Sequence, residues 1–500
     1  MSNKDNLFSL VKSLNQGEKT FFTKSYPINA TKEKLADHII LFYAVDKMDE
    51  WDETKLKLKL KKYPFVKHLS VVKNYLFNLI LKQLKLYYKQ SSIKNELFEL
   101  LQDAEILAKK GLFRENYKVL LKAEKIADKY EYFTFSLDVY DRLLRLNYDL
   151  IAGVETINYS LEIYEKQKLA LQKIAEMDEL RYLRSVSNAI RVSSESEDEK
   201  LKRQLALLEN PILKEGYFFK SYNAGFYHYN LRGRIFADCK MYKRIDDSYK
   251  AYFQLVEHLE SNPDLLRVNL INYSMALNNL IFVNYEVNSV EYEDSLRLIE
   301  KLESIQTDNQ YLQYRIKEKV IVNTLVYYLL SKKYEEGMEY IKLIEDDFKN
   351  QREMYNISFF LEAIDGMAMM YFLAGEYSKS LKQVNFLLND KTGNRIDIQC
   401  FHKILNLLIH YELGNFDHVE YLLKPTEQFL VKHNYYSSFR KEIILFFKEM
   451  FIEKNELTNK NHFKKLSSTL SKIEKVDAEK FLFKLFNLRE WADQKREVMI

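Results

Sequence analysis

Lys220, Tyr227 and Arg234 recur seven residues apart, and His228 and Arg232 flank the last two. On a helix, a repeat of seven keeps side chains on one stripe. Ammonium and guanidinium donors beside an aromatic ring suit a peptide carboxylate, a phosphorylated partner or a single nucleic-acid strand. Read as one helix, Gly216 to Phe236 carries a second stripe of Phe219, Tyr222, Phe226, Tyr229 and Gly233, spaced by 3, 4, 3 and 4. That pattern faces a core, and the glycine allows close approach of a neighbouring helix. The competing reading of the cationic stripe is an ordinary packing face between repeats, with its cations solvated.

A second concentration of charge lies from Asp52 to Gln90, where ten lysines accompany two acids in a chain whose net charge is only +4. The spacing predicts a long helix from about Phe65 to Tyr88, with Leu69, Val72, Leu76, Leu79, Ile80, Leu84 and Tyr87 on one face. Lys67, Lys82, Lys85 and Lys89 fall opposite them. Such a basic ridge can follow phosphates or meet an acidic protein, and it can also be a solvated face of a lysine-rich protein. The segment holds no arginine, the residue that usually reads guanine bidentately, which disfavours sequence-specific recognition.

Chemistry beyond binding has little material. Glycine-rich phosphate loops, a GxSxG elbow and an HExxH zinc motif are all missing, and no acid stands three residues before any of the nine histidines. His402 and His410, eight residues apart, sit two helical turns from each other, too far for one metal. The residues therefore name no catalytic group, metal ligand or cofactor, and the protein is expected not to be an enzyme.

Composition points to helices. Glycine numbers 11 and proline 5 in 500 residues, so turn-built sheets are disfavoured, while 47% hydrophobic residues allow a substantial core. Cys239 and Cys400 neither pair in a CxxC nor form a disulfide framework, and the first residues lack a signal-peptide core, so a reduced, cytoplasmic protein is expected. The longest uncharged run, Val268 to Tyr285, contains five asparagines and a serine, so no membrane span is expected.

Apolar residues follow helical spacing almost throughout, and the chain repeats itself. A turn, an aromatic and an amphipathic helix recur at Phe113, Tyr242, Tyr292, Tyr334, Tyr377 and Phe416, with turn-like Gly153 and Ser194 filling the long gap. Successive markers are 40, 41, 48, 50, 42, 43 and 39 residues apart. A hairpin that cannot bury its apolar face alone does so by stacking on its neighbours.

The second helices resemble those of tetratricopeptide (TPR) repeats. Gly111, Phe113, Asn116, Leu120 and Ala123 follow the pattern of turn glycine, aromatic, small, apolar and small residue, as do Gly375, Tyr377, Ser380 and Val384, with bulky Leu387 in the last place. Ala104, Ala368, Tyr371 and Tyr328 match first-helix positions, whereas Ile245, Val419, Tyr252 and Ile344 are bulky where a small residue is usual. The resemblance, to bacterial TPR-like proteins with a short helical head, implies an all-α solenoid over 91–500 with a cytosolic interaction role. Residues 1–90 read as a lysine-rich helical domain, broken at Tyr26-Pro27, capped near Asn29-Ala30-Thr31 and entering its long helix after Tyr63-Pro64. Two amphipathic segments from about Phe463 to Gln494, with Trp491, are expected to close the far end, and Ser193 to Lys200 to form a charged loop.

The reading that follows is a scaffold holding a peptide or partner protein in the groove of the repeats, with Lys220, Tyr227, His228, Arg232 and Arg234 as candidate contacts. The alternative is a ligand-sensing regulator whose basic amino-terminal helices contact nucleic acid.

Overall fold

The computed structural model describes residues 5–24, 36–88, 92–150, 154–239, 244–287, 292–350, 352–393, 395–453, 456–473 and 485–498. Among these the regular elements are helices, with no strand. The chain divides into two units, residues 1–171 and 172–500.

The first unit begins with α1 (Asn6–Ser13), α2 (Gln16–Lys24), α3 (Asp37–Asp46), α4 (Glu53–Lys59) and α5 (Leu69–Tyr87). Asp5 and Asp52 cap α1 and α4, accepting the Leu7 and Lys55 backbone N–H groups at 2.9 Å each. Proline favours a first turn, and Pro64 opens a 3-10 turn, Pro64–His68, so α5 starts at Leu69 rather than near Phe65. The apolar faces meet in a cluster that includes Leu41, Val45, Leu76 and Ile80, all fully buried. A second cluster joins α6 (Ile93–Lys109), α7 (Phe113–Lys129), α8 (Phe133–Leu150) and the first part of α9 (Val154–Val192) around Leu97, Leu120, Ala123 and Leu143. The expected break at Tyr26-Pro27 and the cap at Asn29 to Thr31 lie outside the described residues.

The second unit takes the rest of α9, then α10 (Glu197–Leu207), α11 (Tyr222–Asp238), α12 (Ile245–Glu260), α13 (Pro263–Val268) and α14 (Leu270–Val287). It continues with α15 (Glu293–Glu303), α16 (Gln310–Leu330), α17 (Tyr334–Asn350), α18 (Ile357–Leu373), α19 (Tyr377–Leu388) and α20 (Ile396–Glu412). The last helices are α21 (Phe416–Lys432), α22 (Ser438–Glu453), α23 (Glu456–Ile473) and α24 (Leu488–Val498). From α14 onward each helix packs on the next, and helices two apart also touch, α14 with α16, α16 with α18 and α18 with α20. Ser196 Oγ accepts the Glu199 N–H at 3.3 Å, so α10 starts inside the acidic stretch and the expected loop shrinks to Ser193–Ser196.

The aromatic markers fall at helix starts. Phe113, Tyr334, Tyr377 and Phe416 are the first residues of α7, α17, α19 and α21, and Tyr292 caps α15. The markers Gly153 and Tyr242 lie outside the described residues. One turn form ends several of the preceding helices. After α18, the Gly375 and Glu376 N–H groups return to the Phe372 and Tyr371 carbonyls at 3.0 and 2.8 Å, with Gly375 at φ +77°. Lys332 after α16 holds the same left-handed conformation, φ +58°, without being glycine. At the carboxy-terminal end Trp491 is buried against Tyr411, Phe446 and Phe463. Its indole N–H donates to Glu412 at 2.6 Å.

Candidate functional site

The helix expected from Gly216 begins at Tyr222. Ser221 caps it, accepting the Ala224 N–H at 3.1 Å, and the buried Glu176 of α9 accepts the Lys220 backbone N–H at 3.1 and 3.3 Å. Lys220 is thus exposed ahead of the helix, off the stripe of Tyr227 and Arg234. Phe219, Tyr222, Phe226, Tyr229 and Gly233 do turn inward or partly inward. Gly233 lies against the Tyr252 ring, where a Cβ would sit 2.9 Å from the nearest ring atom, so α11 and α12 meet closely there.

Two candidate cations hold the fold. His228 is buried with Nδ1 2.8 Å from the Ile212 carbonyl, and burial pushes its pKa down to about 4, so it is neutral at pH 7. Arg232 donates to the Leu213 carbonyl at 2.5 Å and stacks over Phe236. Both pin the segment before α11 onto the helix. Tyr227 and Arg234 instead face α9. The Arg181 guanidinium lies 5.5 Å from the Tyr227 ring, and Arg234 donates to Asn188 Oδ1 at 2.7 Å and Ser187 Oγ at 3.0 Å. Arg191 pairs with Asp238 at 3.3 Å. These contacts advance in the same direction along both chains, so α9 and α11 run parallel. Arg181, Arg184, Asn188 and Arg191, at spacings of 3, 4 and 3, form the row that sequence reading missed. The spacing was visible, but nothing local joined it to Arg234 some 46 positions on.

Further seams of this kind follow between alternate helices. Asn323 of α16 donates to Asn278 of α14 at 2.9 Å. Arg315 and Glu318 of α16 pair at 2.9 Å and tie down the entry to α18, through the Met354 carbonyl at 2.7 Å and the Asn356 N–H. Burial pulls Lys319 down to about 8. Between α18 and α20, Glu362 pairs with Arg395, which also binds Asp397 at 2.7 Å. Asp365 Oδ1 lies 3.5 Å from His402 Nε2. Burial pushes Asp365 up to about 7 and His402 down to about 4.

Seven buried side-chain atoms on α11, α16, α18 and α20 have no hydrogen-bond partner among the described residues, a costly condition in a protein interior. Asn230 Nδ2, Arg234 Nε and Arg315 Nε are donors, on α11 and α16. Glu318 Oε2, Asp365 Oδ1, His402 Nε2 and Asn406 Oδ1 stand on α16, α18 and α20. The first two and the last are acceptors, and so is Nε2, because the neighbouring Nδ1 faces the Ile398 carbonyl at 2.9 Å and must carry the ring proton of neutral His402. The intervening α12, α15, α17, α19 and α21 carry no such atom among the described residues. From α11 to α20 the row thus runs from donors to acceptors, and beyond it α22 brings a buried donor nitrogen again, Arg440 Nε.

In the amino-terminal unit Lys67, Lys82 and Lys85 are exposed and make no ion pair among the described residues, whereas Lys89 lies outside them. Val71, Tyr75 and Leu86 are exposed beside them on α5, so the ridge is mixed rather than purely cationic. No group of three or more metal-binding side chains occurs among the described residues, and no described helix is long and apolar enough to cross a membrane. Comparison with family models and with curated proteins returns no match to the chain.

Proposed function

We propose that the protein is a non-enzymatic, cytoplasmic scaffold, a TPR-like solenoid of irregular helical hairpins that holds an extended polypeptide segment along its alternate parallel helices. The observation that carries this reading is the set of unpartnered buried polar atoms on α11, α16, α18 and α20, which over that stretch pass from donors to acceptors, with arginines of α9 beside the donors. Buried groups of that kind are satisfied by a ligand or by ordered water. A peptide supplies both carbonyl acceptors and N–H donors at regular intervals. The starts of α11, α14, α16, α18, α20 and α22, at Tyr222, Leu270, Gln310, Ile357, Ile396 and Ser438, are 39 to 48 residues apart, which supports stacked hairpins of irregular length. Cys239 and Cys400, both free and buried with thiols pushed up to about 11, suit a reducing compartment.

The test is fluorescence anisotropy with labelled ten-residue peptides of patterned charge, using wild type and Arg184→Glu/Arg191→Glu. A peptide with an acidic end should bind wild type and lose about tenfold or more in the variant, roughly 1.4 kcal/mol. Equal binding to both proteins removes the α9 row from the site.

The alternative of a basic head contacting nucleic acid keeps one observation in its favour, the exposed Lys67, Lys82 and Lys85, which make no ion pair among the described residues. It requires binding of duplex DNA at low salt, a steep decline with added salt, and loss in Lys67→Glu/Lys82→Glu/Lys85→Glu.

A further inference from the structure

Three carboxylates and one guanidinium share the seam between α18 and α20. Glu362 and Asp397 both engage Arg395, which leaves Asp365 without a cation of its own. The atoms that face each other across the seam, Asp365 Oδ1 and His402 Nε2, lack hydrogen-bond partners among the described residues. His402 is fully buried and its Nδ1 proton is committed to the Ile398 carbonyl, so a lone pair points at the carboxylate. Two acceptors face to face at 3.5 Å repel unless a proton or another cation lies between them. A proton on Asp365 removes that repulsion, giving a neutral acid beside a neutral ring.

The seam is not sealed. The side chains of Asp365, Glu362 and Asp397 keep 22%, 30% and 45% of their surface, so the carboxylates line an edge that a long side chain can reach. The charged groups acting on Asp365 are Glu362 from its own helix and Arg395 and Asp397 from the entry to α20. Glu318 of α16 stands close enough to Glu362 to be raised by it. The other helices against α18, α17 and α19, bring Glu345 and Lys379 to Tyr371, farther along it.

We propose that this seam is a proton-linked site for a cationic side chain, in which the lysine ammonium or arginine guanidinium of the bound segment replaces the proton on Asp365. On binding, the Asp365 O–H gives its proton to solvent and the carboxylate accepts a hydrogen bond from the incoming N–H. Charge is conserved, one cation entering as one proton leaves. The ligand is a basic residue in the part of the segment lying over α18 and α20, downstream of the part held by the arginines of α9 and α11. This inference rests on the scaffold reading and adds the charge and the pH dependence of the bound segment.

The probes are capped ten-residue peptides containing alternating alanine with lysine, glutamate or serine, titrated by calorimetry into the full chain at pH 6, 7 and 8. Comparing two buffers of different ionisation enthalpy counts the protons released. The lysine peptide should bind with release of up to one proton near pH 7, and its affinity should fall by as much as about tenfold for each pH unit below that point, because the proton competes with the ammonium for Asp365. Asp365→Asn keeps the shape and removes the exchangeable charge, so its binding should be weaker and level with pH. The proton count in wild type needs no variant and decides the matter if Asp365→Asn folds poorly. Lysine-peptide binding with no proton release, or a pH slope that survives Asp365→Asn, overturns the site. If only the glutamate or serine peptide binds, the cationic ligand is wrong and the scaffold stands. Failure of every peptide removes both.

Discussion

Asp365 and His402 respond to pH in opposite senses, which makes them separable by measurement. The folded chain holds His402 near 4 against an ordinary 6.5, so its contribution to stability is complete above 6.5 and is lost as pH falls toward 4. It holds Asp365 near 7 against 3.8, so that contribution is complete below 3.8 and is lost as pH rises toward 7. In wild type the two slopes oppose each other over most of this range. Asp365→Asn should therefore expose the histidine, with stability rising with pH between 4 and 6.5 by up to about 1.4 kcal/mol per unit. His402→Gln should tilt the profile the other way. Urea midpoints across that range test both, and two variants with parallel profiles would refute the assignment. Backbone conformation supplies another residue-scale expectation. A Cβ on Gly375 meets nothing within 4 Å, so Gly375→Ala should cost only the left-handed strain, about 1–2 kcal/mol, while Lys332→Gly relieves the same strain and should be neutral to stabilising. Thermal unfolding of the pair reads both signs.

At the scale of elements, α24 is held by a few strong contacts. Glu412, whose side chain keeps 3% of its surface, accepts from the Trp491 indole at 2.6 Å and from Lys495 at 2.5 Å. Trp491→Phe keeps most of the ring packing and leaves one carboxylate oxygen short of a donor, an expected loss of about 1–3 kcal/mol. Trp491→Ala also opens a cavity among Tyr411, Phe446 and Phe463 and should cost about 3–5 kcal/mol. Hydrogen exchange should locate the added opening in α24 and its contacts with α23. The helices were legible in the sequence because the 3.6-residue pattern and the aromatic after each turn are local signals. Phe113, Tyr334, Tyr377 and Phe416 mark helix starts to the residue. The start of α11 was not legible, since it depends on Glu176 gripping a backbone N–H 44 positions away. His228 and Arg232 read as surface cations for the same reason, their acceptors being the distant carbonyls of Ile212 and Leu213. The Asp365–His402 seam joins helices that no local spacing connects.

For the molecule as a whole, the division at residue 171 predicts that core damage in one unit is felt mainly within it. Leu76 and Leu405 are both fully buried, one in the amino-terminal cluster and the other among the packed helices of the second unit. Leu76→Ala and Leu405→Ala should each cost about 2–5 kcal/mol, since each removes buried methyl groups and leaves a void. Because no cluster contains both residues, the double variant should equal the sum of the singles within about 0.5 kcal/mol. Calorimetry of wild type should then give an enthalpy above the value inferred from the sharpness of the transition, as expected when a long chain of neighbour-packed helices melts in more than one step. Leu405→Ala should shift one component and Leu76→Ala another. A single transition that both variants lower by the same amount would mean that the two units unfold as one cooperative body. A basic ridge on α5 and a polar row along the second unit would then share a single stability, and ligand binding at either would protect the whole chain from unfolding.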